Sequence, residues 1–197
     1  MSGESVTQTP VTFGPGALLT PANAVTLARI AFAPVAFVMM WRTPNQSSWL
    51  ICGAWFVLSS SDLVDGRLAR RYGSTRSGAF LDPLADKVLV LGGVGIMCAV
   101  TPQRFPWIAL GLIAAREVAV SWFRARYVRR GLAVPASKLA KWKTFVQLAA
   151  VGWVTMPPTQ SLHWLSLGTL WVGVTIGLVS GVQYFLSGSR AATSMAD

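Results

Sequence analysis

Acidic residues are scarce in this chain: seven Asp and Glu stand against 17 Lys and Arg in 197 residues, and only 12% of the sequence is charged. With 53% hydrophobic residues and a mean hydropathy of +0.51, that scarcity excludes an ordinary soluble domain, in which about 25% of residues are charged. Histidine is scarcer still. His163 is the only one and stands away from every carboxylate, so neither imidazole catalysis nor metal ligation is expected of it. Cysteine is limited to Cys52 and Cys98. A bridge between them is conceivable if the stretches that carry them are neighbours, and buried free thiols are the expected state. Repeats, low-complexity tracts and a second domain are absent from the sequence as well.

What fills the chain instead is long apolar runs, enough for six membrane spans of roughly 20 residues each. The first is expected from Thr20-Pro21, an N-cap followed by proline at the first helical position, to about Trp41. The second runs from Trp49 into Asp62, and the third follows Gly78. The fourth covers Phe105 to Phe123, the fifth about Lys138 to Met156, and the sixth Leu162 to Leu186. The expected organisation is a cytoplasmic lead-in over 1–20, a six-helix transmembrane catalytic domain over 21–186 and a disordered tail over 187–197. The lead-in has no basic stretch, contains Glu4 and breaks at Phe13-Gly14-Pro15-Gly16, unlike a cleaved leader.

Lys and Arg set the orientation. The connections after spans two and four hold eleven of them, against Arg42 and Arg104 in the alternate ones. Both basic connections and both termini are therefore expected in the cytoplasm, and the formal charge of +10 needs no nucleic acid to explain it. Trp41, Trp49, Trp107 and Trp164 fall at the opposite ends of the spans and suit an outer aromatic belt.

Four of the seven acidic residues lie in one stretch, SDLVDGRLARRYGSTRSGAFLDPLADK, from Ser61 to Lys87. Asp62 and Asp65 are spaced i,i+3, and Asp82 and Asp86 i,i+4, so each pair shares a face if it is helical. Four converging carboxylates repel unless a cation lies among them, and an all-oxygen set suits a hard divalent ion. Gly66, Ala69 and Gly78 leave room for a bulky ligand, while Arg67, Arg70, Arg71 and Arg76 add positive charge. Such a combination fits a pyrophosphate.

The stretch resembles the signature of the CDP-alcohol phosphotransferases, D-x2-D-G-x2-A-R followed after seven or eight residues by G-x3-D-x3-D. Every fixed position is met, by Asp62, Asp65, Gly66, Ala69, Arg70, Gly78, Asp82 and Asp86. The resemblance implies an all-α integral membrane protein with six transmembrane helices around a cytoplasm-facing polar cavity, commonly a homodimer. It implies Mg2+ or Mn2+, as two ions, on Asp62, Asp65, Asp82 and Asp86, with Asp86 also taking the proton of the attacking hydroxyl. Asp65, Gly66, Ala69, Arg70 and Gly78 would bind CDP-diacylglycerol. A cell (inner) membrane location and a place in phospholipid biosynthesis follow from the same resemblance. A divalent-cation transporter would need its acids near mid-membrane with access from both sides, whereas these lie at one end.

Two further regions, AREVAVSWFR from Ala115 and VPASKLAKWKTFVQ from Val134, resemble one branch of that family, the phosphatidylglycerophosphate synthases, except that Ala140 replaces a glycine. That branch uses glycerol 3-phosphate as acceptor; the cardiolipin and phosphatidylinositol-phosphate synthases share the signature. Four aspartates would repel the acceptor's phosphate, so cations must hold it. Arg116, Arg124 and Lys141 are the candidates; they converge only if spans four and five pack side by side, and the short connection makes these spans expected antiparallel neighbours. Glu117 sits inside an apolar run, where a charge is costly, and faces either polar neighbours or a structural ion-pair partner. Asn23, Thr26 and Arg29 recur every three residues at the cytoplasmic end of span one, facing either headgroups or substrate.

Overall fold

The computed structural model describes residues 20–72, 78–129 and 138–193, and within them the chain is helical apart from short connections. The helices are α1 (Pro21–Arg42), α2 (Trp49–Tyr72), α3 (Gly78–Val100), α4 (Trp107–Arg129), α5 (Lys138–Thr155) and α6 (His163–Thr193). The start of α1 is the one its sequence signals: Thr20 accepts from the Asn23 amide at 3.1 Å, and Pro21 takes the position where a missing N–H has no intrahelical use. After Arg42 the chain turns sharply, with Asn45 and Gln46 at φ of 56° and 55°. The Ser48 amide then binds the Thr155 carbonyl at 3.2 Å, which ties this turn to the end of α5.

Helix α1 packs along both α2 and α3, α5 and α4 both pack on α6, and α3 and α2 contact α5. The centre is apolar and closely fitted. Met40, Ile51, Leu89, Met97, Phe105 and Leu170 are fully buried, and Trp55 of α2 lies against α3 and α5, donating from its indole N–H to the Leu148 carbonyl at 3.0 Å. Cys52 and Cys98 are free thiols; Cys98 is buried as expected, whereas Cys52 is only half-buried.

Two expectations change. Spans four and five are expected side by side because their connection is short, but among the described residues α4 and α5 make little direct contact and meet through α6. The glycines of α6 explain this. A side chain at Gly173 would strike Gln147 of α5, and one at Gly181 would crowd Arg116 of α4, so α6 accepts both helices closely. Second, α6 continues to Thr193, so the expected boundary at Leu186 falls inside a helix. Propagating a formed helix gains one hydrogen bond per residue, and weak formers such as Ser187 and Gly188 do not stop it. The expectations for residues 1–19 and 194–197 lie outside the described residues.

Among the described residues three helices are long and apolar enough to cross a membrane, Pro21–Arg42, Leu81–Val100 and His163–Ser187, and Trp49–Ser61 is a shorter apolar helix. Large apolar side chains such as Phe32, Leu50, Phe56, Ile108 and Phe145 point outward, a surface that suits lipid and not water. Trp41, Trp49, Trp107 and Trp164 are exposed by 58%, 67%, 59% and 70%, as an interfacial belt requires. Trp122 and Trp142, nearer the basic ends of α4 and α5, are equally exposed.

The approach of α3 to Trp55 of α2 is close enough to test. A Cβ on Gly93 would lie 2.5 Å from the Trp55 ring, so Gly93→Ala is expected to lower stability by about 1–3 kcal/mol through overpacking. Thermal unfolding in detergent measures this. Trp55→Phe, whose smaller ring withdraws from the contact, should restore part of the loss in the double variant.

Candidate active site

The site begins on α1. Asn23, Thr26 and Arg29, the three-residue polar row of the sequence, are buried and do not face headgroups. The Thr26 hydroxyl lies 3.1 Å from Asp82 Oδ1, and Arg29 donates from Nε to Ser61 Oγ at 2.9 Å while its Nη1 stands 3.6 Å from Asp86 Oδ1. Thr26 and Arg29 thus meet the α3 aspartates. Asp82 and Asp86 occupy one face of α3, one helical turn apart, and both line a cavity of about 330 Å³. Gly78 is buried at the first position of α3. Asp62, Asp65, Gly66, Ala69 and Arg70 lie on the last turns of α2, with Ser61 directly before them; their side chains lie outside the described ones.

The opposite wall of the cavity is basic. Glu117 accepts from Arg116 Nη1 at 2.8 Å and forms an ion pair with Lys143, so the structural ion pair is the reading that holds for this residue. Arg116 is otherwise engaged on α6, donating from Nε to the Gly177 carbonyl at 3.1 Å and from Nη2 to Ser180 Oγ at 3.0 Å. Lys87, the residue after Asp86, donates to Ser121 Oγ at 2.8 Å. Arg124 lies at the rim, exposed, with its guanidinium 5.9 Å from the Tyr184 ring centre, within cation–π range. Lys141 is in the first turn of α5, and its side chain is outside the described ones.

The cavity therefore brings together Asp82, Asp86, Arg116, Glu117 and Arg124 from the expected set, and adds Lys87, Lys143, Ser121, Ser180 and Tyr184. The added lysines were visible in the sequence only as a residue beside an aspartate and as part of a basic connection. Ser180 carried no signal beyond its spacing from Gly177. His163, as expected, stands elsewhere: its Nε2 lies 2.7 Å from Arg104 Nη2.

Among the described residues no three His, Cys, Asp or Glu side chains gather into a metal-binding group. Asp82 and Asp86 by themselves supply two carboxylates at helical spacing with only oxygen donors, a set that fits a hard divalent cation and not a thiolate-seeking one. Chemically, one wall suits a cation and the other an anion.

Glu117 holds two cations at once. Its removal by Glu117→Ala leaves Arg116 and Lys143 buried without their counterion, and is expected to cost about 3–5 kcal/mol. Thermal unfolding in detergent, with Glu117→Gln as the milder comparison, checks this; an unchanged midpoint for Glu117→Ala would contradict the assignment.

Residues 19–179 match the family model for CDP-alcohol phosphatidyltransferase. The chain is 34% identical over 167 residues, 83% of its length and 78% of the relative's, to a probable phosphatidylglycerophosphate synthase of Mycobacterium tuberculosis. It is also 34% identical over 169 residues, 83% of the chain and 92% of the relative, to a CDP-diacylglycerol–glycerol-3-phosphate 3-phosphatidyltransferase of Rickettsia bellii. With the protein of that name from Shigella flexneri it shares 31% over 172 residues, 85% of the chain and 93% of the relative. A match that spans the aspartate stretch and five of the six helices means that the chain belongs to the CDP-alcohol phosphatidyltransferase family.

Proposed function

We propose that this membrane protein transfers the phosphatidyl group of CDP-diacylglycerol to glycerol 3-phosphate, giving phosphatidylglycerophosphate and CMP. The observation that carries this reading is the two-signed cavity, in which the carboxylates of Asp82 and Asp86 face a wall holding Lys87, Arg124 and Lys143. A lipid pyrophosphate that needs a cation and an acceptor phosphate that needs a basic wall are the two ligands such a cavity suits. The relatives' names point to the same reaction.

Mg2+ or Mn2+, as two ions held by Asp62, Asp65, Asp82 and Asp86, would supply charge neutralisation at the pyrophosphate. Around it, Gly66, Ala69 and Gly78 leave backbone room for the CDP group of the donor, and Arg70 offers it a fork of N–H donors. Asp86 lines the same cavity as Arg124 and Lys143, and its carboxylate would accept the proton of the attacking hydroxyl. Arg124, with Lys143 and Lys141 from α5, orients the acceptor phosphate. Arg116 leaves that group, because its Nε, Nη1 and Nη2 are occupied by Gly177, Glu117 and Ser180; its part is to hold α4 against α6.

All six helices cross the inner membrane in this reading, with the cavity and both termini on the cytoplasmic side and the protein a homodimer. Helices α4 and α5 carry too many charges to qualify by composition, but Lys143 is buried and paired with Glu117, and Arg116 is bonded to α6, so these charges are turned to the bundle and not to lipid. Other branches of the family, the cardiolipin and phosphatidylinositol-phosphate synthases, differ in the acceptor. Purified protein given CDP-diacylglycerol and Mg2+ with each acceptor in turn decides between them by CMP release.

Excess chelator and Asp62→Ala or Asp65→Ala are expected to abolish that release while the protein still inserts. Asp86→Asn should retain most CDP-diacylglycerol binding and lose turnover, since an amide accepts a hydrogen bond but takes no proton; near-normal turnover would require another base. For the acceptor wall, Arg124→Ala and Lys141→Ala should raise the KM for glycerol 3-phosphate about tenfold, equivalent to roughly 1.4 kcal/mol, with the donor KM little changed. Equal losses for both substrates would assign the wall to the lipid donor or to the fold.

A further inference from the structure

Helix α1 carries none of the signature aspartates, yet both aspartate-bearing helices pack along it. Arg29 is 3% exposed and spans the gap between them. Ser61 spends its own proton on the Leu58 carbonyl at 2.7 Å, so the lone pairs of its oxygen are what it offers to Arg29 Nε at 2.9 Å. The same guanidinium reaches Asp86 on α3 with Nη1. One rigid, planar group therefore links the residue before Asp62 on α2 to Asp86 on α3. Thr26, one turn earlier, faces two acceptors, Asp82 Oδ1 at 3.1 Å and the Ala22 carbonyl at 3.2 Å. Its single proton favours the charged one, because a carboxylate is the stronger acceptor.

We infer that Arg29, Ser61 and Thr26 are positioning residues that set the register of the α2 aspartates against the α3 aspartates, and so fix the cation site before any substrate enters. Arg29 is not a donor contact in this assignment: its guanidinium is turned to the protein, and its charge compensates carboxylates that would otherwise repel. The inference rests on the proposed metal-dependent transfer and assigns its preorganisation to a helix outside the signature. Groups that orient metal-binding carboxylates typically alter metal affinity by about 10–100-fold when they are removed.

The test uses charge-conserving or uncharged changes, because removing the Arg29 charge would itself strengthen cation binding. Arg29→Lys keeps the charge and loses the two-point grip, Ser61→Ala loses the α2 anchor, and Thr26→Val keeps the shape and loses the proton. Mn2+ binding to purified full-length protein without substrates, read by electron paramagnetic resonance of free Mn2+, should weaken about tenfold in each. Thermal midpoints should stay close to that of the unaltered protein. In turnover, the Mg2+ concentration for half-maximal rate should rise by a similar factor, excess Mg2+ should restore kcat, and the KM for glycerol 3-phosphate should not move.

Ser61→Ala binding Mn2+ like the unaltered protein would overturn the register role. So would an Arg29→Lys variant whose defect is a raised CDP-diacylglycerol KM at saturating Mg2+, which would make Arg29 a donor contact. A loss of Mn2+ binding that follows a loss of thermal stability would reduce all three to fold residues. If the unaltered protein binds no Mn2+, the metal reading itself fails and this inference fails with it, an outcome distinct from defects confined to the variants.

Discussion

A charge inside an apolar helix bundle persists only where partners enclose it, and this constraint decides where each ionisable group of the cavity stands. Three of the cations meet it with the same device. Ser61, Ser121 and Ser180 each give their proton to a carbonyl of their own helix, three or four residues back, and turn their lone pairs toward a cation on another helix. The cations are Arg29, Lys87 and Arg116. A helical serine that donates to its own turn is a weak helix former made useful, since its oxygen becomes a fixed acceptor between helices. Lys143 meets the constraint differently, by sharing Glu117 with Arg116.

These pairings also explain the helix arrangement. Helix α6 presents Gly173, Gly177 and Gly181 at four-residue intervals, where small residues let other helices approach. Gln147 of α5 donates to the Gly173 carbonyl at 3.2 Å, and Arg116 of α4 to the Gly177 carbonyl. Helix α6 thus supplies backbone acceptors to two neighbours at once, and α4 and α5 reach each other across the cavity through Glu117 and Lys143 instead of packing flank to flank. Apolar contact alone would not choose this arrangement, because lipid is as apolar as the helices it surrounds.

Much of this was legible in the chain. Helix positions followed from the apolar runs, and the start of α1 from Thr20 and Pro21, because these signals are local. The aspartate spacing likewise put Asp82 and Asp86 on one face. What sequence could not resolve was which partner a polar residue takes. Arg29 at the end of a span looks the same whether it faces headgroups or Asp86, and Arg116 and Lys143 look alike as positive-inside residues. Their difference lies in their partners, on α2 and α3 for Arg29, on α6 for Arg116 and on α4 for Lys143, far away in sequence. The expectation that α4 and α5 pack side by side failed for the same reason: a short connection limits the distance between helix ends but not which third helix enters between them.

The division of labour between the walls has a consequence for specificity. The acids and the residues that fix them come from α1, α2 and α3, whereas most of the basic wall comes from α4 and α5 braced on α6. Only α3 contributes to both, through Lys87 beside Asp86. Within the basic wall Glu117 neutralises one of its two partners, so the Arg116, Glu117 and Lys143 group carries a single net positive charge. A fully unpaired set of cations would bind a phosphate more tightly before and after transfer alike, and uniform binding of that kind does not raise turnover. A bundle divided in this way can change its acceptor through α4, α5 and α6 while α1, α2 and α3 keep the transfer chemistry. On the proposed assignment of the two walls, an aspartate signature identifies the family of this chain while the acceptor has to be read from the other wall.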